Sequence, residues 1–128
     1  FDRQKLLEIK SEKYQEKVAV YSNARNCIDD PGEFYLVPYG VRGKSITVAT
    51  WLACFDGHKE IFLIGADACN TDGNADEQTV KEMNAVFDNY STTKFYFISD
   101  FGNTHNLWRE NTNFSQISYA EFISYCDI

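Results

Sequence analysis

The apolar run Ile61–Gly65 (IFLIG) constrains the fold more than any other part of the chain. Its hydrophobic residues are continuous and do not alternate with polar ones. A strand wetted on one face alternates, whereas a strand covered on both faces does not. The segment Lys59–Asp67 (KEIFLIGAD) is therefore expected to be a central, buried, parallel strand. Parallel neighbours need crossover connections, and the flanking sequence supplies them. Ile46 to Phe55 is apolar almost throughout, as in a helix packed between layers. Glu77 to Tyr90 carries Val80, Met83, Phe87 and Tyr90 on one helical stripe. Lys94 to Ser99 (KFYFIS) reads as the next strand.

The order strand, loop, helix, strand, loop, helix, strand predicts an α/β fold. Right-handed crossovers place helices on both faces, giving a three-layer α/β/α, mostly parallel, Rossmann-like sheet. Residues 1–128 form one domain, with no repeat and no Pro/Gly/Ser-rich linker. Upstream, Asp2 to Lys17 reads as a helix, and Val18–Tyr21 and Phe34–Val37 as short strands. Downstream, Asp100 to Asn113 is expected to be a long loop anchored by Leu107 and Trp108. Ser118 and Glu121 have the spacing of a capping box for a last helix, Tyr119 to Tyr125.

Bulk properties exclude several functions. A net charge of −7 and a pI near 4.7 argue against nucleic-acid binding. No apolar run reaches the ~18 residues that a spanning helix needs. The start, FDRQKLLEIKSEKY, is too charged for a signal peptide, so a cytoplasmic location is expected. Cys27, Cys54, Cys69 and Cys126 show no CxxC spacing, and His58 and His105 are the two histidines. That composition points to buried free thiols and to no metal site or cofactor. The 16% aromatic content makes a homodimer that buries exposed rings one expectation.

Ligands of parallel α/β sheets bind at the carboxyl ends of the strands. Two loops are expected there. Tyr39 to Ser45 leads into a helix and ends in Arg42, Gly43, Lys44 and Ser45 (RGKS), with Ser45 as the expected N-cap. Backbone N–H groups at a helix start, with cations beside them, suit a phosphate. The segment nearly spells a Walker A loop, but Pro38 stands where its first glycine belongs. A solvated helix start with two surface charges is the plainer alternative. Ala66 to Asp76 carries Asp67, placed to orient a ribose or a neighbouring helix. An EF-hand register fails, because Ala68 and Thr79 fall where carboxylates are required. Asn74 and Glu77 have capping spacing for the helix that follows. His58 is expected in a surface turn. His105 follows a strand and is the weak candidate for a general base.

Val41 to Asp67, VRGKSITVATWLACFDGHKEIFLIGAD, resembles a segment of bacterial lipooligosaccharide sialyltransferases and related polysaccharide-biosynthesis glycosyltransferases. In that family a Thr-Ser-Gly-like loop opens an apolar helix that leads into an IyLiGiD-like strand. The resemblance implies a doubly wound fold binding a nucleotide or sugar nucleotide in surface glycan assembly. It implies ligand contacts at Gly43, Ser45 and Asp67, with Arg42 and Lys44 on the phosphate. It also implies that 1–128 corresponds to the C-terminal part of a longer glycosyltransferase-like fold. The family's catalytic histidine follows the GiD-like strand, but no histidine lies between Asp67 and Lys94. His105 does not align with it, so the catalytic group is unassigned. The alternative is a small non-catalytic α/β binding or interaction protein that kept the fold without the chemistry.

Overall fold

The computed structural model describes residues 3–22, 34–37, 43–66, 76–100 and 104–127. Among these, helix α1 spans Arg3–Ser11, followed by a 3₁₀ turn at Tyr14–Glu16. Strands β1 (Tyr21–Ser22) and β2 (Tyr35–Leu36) come next. Helix α2 covers Ser45–Phe55, β3 Glu60–Ile64, α3 Glu77–Asn89 and β4 Lys94–Ile98. The chain ends with α4 (Asn106–Arg109), β5 (Phe114–Ile117) and α5 (Tyr119–Cys126).

Both sheets are parallel, so the chain has the expected α/β, Rossmann-like character. β1 pairs with β2, placing Tyr21 opposite Tyr35. The main sheet has the order β3-β4-β5, with Ile61 opposite Phe95 and Phe95 opposite Phe114. The central strand among the described residues is β4, not the expected Lys59–Asp67 segment. β3 pairs with β4 alone in this set, and its Ile64 is 53% exposed. The other neighbour of β4 is β5, in a segment whose sequence predicts no strand. Phe114–Ile117 (FSQI) is four residues long and is apolar only at its two ends, too little pattern to announce a strand. Its pairing partner decides its conformation.

The predicted helix Asp2–Lys17 is also shorter in the structure. Lys13 adopts a left-handed conformation (φ 57°) that ends it. Within α1 only Leu6 is buried, packed with Phe34. Helix propensity without an apolar face to dock does not sustain further turns. α2 and α3 stop where expected. Gly57, at φ 89°, closes α2 by donating its N–H to the Cys54 carbonyl at 3.0 Å.

Successive strand residues point to opposite faces. On one face Ile61, Leu63, Phe95, Phe97 and Phe114 pack against Val80, Met83 and Phe87 of α3 and Trp108 of α4. The Phe87 ring lies 4.7 Å from Phe95 and 5.7 Å from Trp108. The Trp108 indole donates to the Val80 carbonyl at 3.0 Å, so its one polar atom is satisfied inside the core. On the other face Phe62 stacks on Tyr96, and both rings meet Tyr125 of α5. α5 begins at Ser118 as expected, with Ser118 Oγ accepting from the Glu121 N–H at 3.1 Å, the N-cap half of a capping box. A second cap is carried by Asn113. Its amide donates to the carbonyls of Phe87, Tyr90 and Thr93, each at 3.0 Å, and ties the end of α3 to the start of β5.

Truncating Trp108 to Ala is expected to cost ~3–5 kcal/mol in urea unfolding, as for other large buried aromatics. Trp108→Phe keeps most of the packing and loses only the indole bond to the Val80 carbonyl, which keeps its helical partner, for about 0.5–1.5 kcal/mol. Equal losses in the two variants would show that the hydrogen bond, not the ring volume, carries the effect.

Candidate functional site

The carboxyl ends of β3 and β4 face the starts of α2, α3 and α4, as the parallel topology requires. β3 leaves the sheet at Gly65, whose φ of 68° turns the chain toward buried Ala66. The described residues assembled at this edge are Gly43, Lys44 and Ser45 from α2, Asp76 and Glu77 from α3, and His105 from α4. Asp67 and Arg42, both predicted ligand contacts, lie outside the described residues, as do Asn74 and the acidic loop between Asp67 and Asp72.

Gly43 has a φ of 123°, a conformation that side chains disfavour. A Cβ here would lie 2.6 Å from Glu82 Oε2 and 3.0 Å from Thr47 Cβ. Gly43 thus sits beside the Glu82 carboxylate of α3, and its dihedral is what calls for glycine. Lys44, not Ser45, is the N-cap residue of α2, and Ser45 is its first helical residue. The shift by one position follows from Lys44's extended backbone (ψ 168°).

The Lys44 ammonium donates to Asp76 Oδ2. Asp76 is the N-cap residue of α3, so this pair joins the starts of two helices. Thr79 Oγ1 donates to the same carboxylate oxygen at 2.8 Å. The Lys44 and Thr79 hydrogen bonds hold the Asp76 carboxyl at about 2, below the ordinary 3.8. The Lys44 side chain is 64% exposed and that of Asp76 14%, so the carboxylate is the anchored partner. Sequence reasoning does not single out Asp76. Its signal is the Asp-x-x-Thr spacing to Thr79, a helix-start pattern parallel to the Asn74–Glu77 pair.

His105 is the N-cap residue of α4, its Nδ1 accepting from the Leu107 N–H at 3.1 Å. That bond occupies the Nδ1 lone pair and places the proton of the neutral ring on Nε2. Nε2 in turn faces Glu77 Oε1 at 4.0 Å. In this arrangement neither nitrogen presents a lone pair to a substrate. His105 links α4 to α3, and a proton-accepting role requires release of the cap. His58 lies in the turn after α2, its Nε2 3.2 Å from Asp56 Oδ2, with most of its ring exposed.

Among the described residues no group of three or more His, Cys, Asp or Glu side chains is placed to hold a metal. No helix among them is long and apolar enough to cross a membrane. Cys54 is buried and free, and burial pushes its thiol up to about 11, leaving it inert as a nucleophile at neutral pH. Cys126 is exposed on α5, contrary to the expectation of a buried thiol, because α5 buries none of its residues fully. Compared with family models, with curated proteins and with solved structures, the chain matches none.

Two outcomes follow from this geometry. Gly43→Ala is expected to lower stability by ~1–3 kcal/mol through its left-handed dihedral. Glu82→Ala in the same chain should not restore it, because a flexible carboxylate can move and the dihedral strain remains; full rescue in thermal unfolding would place the cost in the clash instead. Asp76 titrates lower when folded than unfolded, so its contribution to stability is present above about pH 4 and is lost as pH falls toward about 2. The stability gap between wild type and Asp76→Asn should therefore be widest near neutrality and shrink below about pH 4, measured by urea unfolding across that range.

Proposed function

We propose that the carboxyl edge of the sheet binds a nucleotide or sugar nucleotide, in a glycosyltransferase-like domain of bacterial surface glycan assembly. The observation that carries this reading is the start of α2. Gly43 turns the chain with a φ of 123°, the first N–H groups of an eleven-residue helix follow it, and the residue before that helix, Lys44, carries an ammonium bonded to Asp76. The helix dipole and these donors favour a phosphate group at that end. The resemblance of Val41 to Asp67 to the sialyltransferase-type segment supports the same ligand class and adds Arg42 and Asp67 as phosphate and ribose contacts. In catalysis, Lys44 and the helix start would stabilise the departing nucleotide by electrostatics. The catalytic base is unassigned.

A second reading is favoured by a specific observation. Lys44 is already bonded to Asp76 and His105 already caps α4, so both side chains have structural partners. On that reading the chain is a non-catalytic α/β binding or interaction protein, and a homodimer is one form it could take.

Thermal unfolding with CMP, UDP and their sugar conjugates separates the two. At a ligand concentration about a hundredfold above Kd, binding adds about 2.7 kcal/mol of stability, a rise of several degrees in Tm. The rise is expected in wild type and is expected to be lost in Lys44→Ala and in Asp67→Ala, each referred to its own unliganded Tm. No shift with any nucleotide leaves the non-catalytic reading.

A further inference from the structure

A polar pocket of about 320 Å³ opens at the amino ends of β4 and β5, at the opposite edge of the sheet from the helix starts described above. Lys94 and Tyr96 of β4 and Ser115 of β5 form its floor, on the face of the sheet that carries α5. Two turns form its rim, with Ser91 and Thr92 after α3 and Thr112 and Asn113 before β5. The Asn113 amide donates to the carbonyls of Tyr90 and Thr93, so the two turns are tied together and the rim is set by the fold. The volume is at the small end of the range for ligand sites and suits a single small ring.

Two features of the lining point to a ligand. The first is an open aromatic face. Phe62 of β3 stacks on one face of Tyr96, with centroids 5.0 Å apart and planes 17° apart. This row runs across the sheet, so the other face of Tyr96 looks toward β5, where its register neighbour is Ser115. Serine is too small to cover it. Tyr125 does not cover it either. Its ring is 5.4 Å from Phe62 and 5.5 Å from Tyr96, so it bridges the edges of the pair. The second feature is a set of unused donors. Among the described residues, the hydroxyls of Ser91, Thr92, Thr112 and Ser115 and the Lys94 ammonium make no hydrogen bond or ion pair.

Charge decides between an anion and a neutral ligand. Among the described residues that line the pocket, Lys94 alone is charged. Against it stand Glu60, its register neighbour on β3, and the carboxyl end of α3 at Tyr90, where the helix dipole is negative. The chain as a whole carries −7. An anion therefore gains little here. A neutral sugar ring matches the lining better. Its hydroxyls both donate and accept, as the Ser and Thr hydroxyls do, and Lys94 donates to one more oxygen. Its apolar C–H face suits the electron-rich face of an aromatic ring.

We infer that this pocket binds an uncharged sugar residue, with its C–H face on the open side of Tyr96 and its hydroxyls on Lys94 and the surrounding Ser and Thr side chains. The site is separate from the carboxyl edge and does not depend on a nucleotide binding there.

Titration of the isotope-labelled full chain with the methyl glycosides of glucose, galactose, mannose and N-acetylglucosamine, followed by amide NMR, tests it. At least one glycoside should shift the amides of Thr92, Lys94, Tyr96 and Ser115, with a Kd on the order of 1 mM, the usual yield for a ligand of that size. Ser115→Phe extends the aromatic row over the open face of Tyr96 and should abolish the shifts. Lys94→Met should weaken binding about tenfold, as for one hydrogen bond to a charged donor. Both positions are exposed, and circular dichroism checks that the variants fold. No shift with any of the four glycosides, or binding unchanged in either folded variant, overturns the inference. Displacement of the glycoside by UDP or CMP overturns it as well, since that puts the sugar at the carboxyl edge. Failure of nucleotides to bind while the glycoside shifts persist supports the sugar site and overturns only the nucleotide reading.

Discussion

Phe87 and Trp108 meet edge to face beneath the sheet, and each also touches Phe114 of β5. Both are almost fully buried. Phe87 brings α3 against β4 through Phe95, and Trp108 brings α4 against β4 through Phe97. The indole N–H, satisfied by the Val80 carbonyl, ties α4 to α3. Removing this pair would separate both helices from two strands at once. The positions of the α3 and α4 starts at the carboxyl edge follow from it, since α3 and α4 carry Asp76, Glu77 and His105 there.

Polar contacts then refine what the apolar core positions. Asn113 closes the end of α3, while Asp76 and His105 sit at the starts of α3 and α4. Lys44 reaches across from α2 to Asp76. These bonds satisfy or neutralise groups that helix ends would otherwise leave exposed. They also occupy side chains that a ligand site would use. A phosphate at the start of α2 must share Lys44 with Asp76, whereas the backbone N–H groups of α2 are not held by that pair. On the proposed phosphate reading, stability and affinity would draw on the same cation at this edge.

Much of this was legible in the residues. The unbroken apolar run at Ile61, the stripe on α3 and the KFYFIS strand each announce themselves, and each is present within a residue or two of its expected bounds. The N-cap at Ser118 and the stop at Gly57 are local chemistry and appear as local chemistry predicts. β5 did not announce itself, because FSQI has no periodic pattern and becomes a strand only through hydrogen bonds to β4. Lys13 breaks the first helix for a similar reason: the charged segment beyond Ser11 has propensity but nothing to pack against. His105 looked like a candidate base from its place after a strand. Its use of Nδ1 as a helix cap depends on the Leu107 N–H, which sequence spacing does not reveal.

The segment Lys59–Asp67 shows where the division falls. By itself the sequence determined that this stretch is a strand of a parallel α/β sheet, since its apolar residues are continuous, but of its two faces only the one carrying Ile61 and Leu63 is fully buried. Only the tertiary structure decided that, among the described residues, β4 and not this strand has neighbours on both sides, because strand order is set by long-range pairing with a segment that carries almost no signal of its own. The same holds at the helix start beside it. Arg42 to Ser45 read as a cationic phosphate loop from local composition, but the partner of Lys44 is Asp76, thirty-two residues further along the chain. Contacts at such a separation are made by the packing of α2 on α3, and no local pattern encodes them.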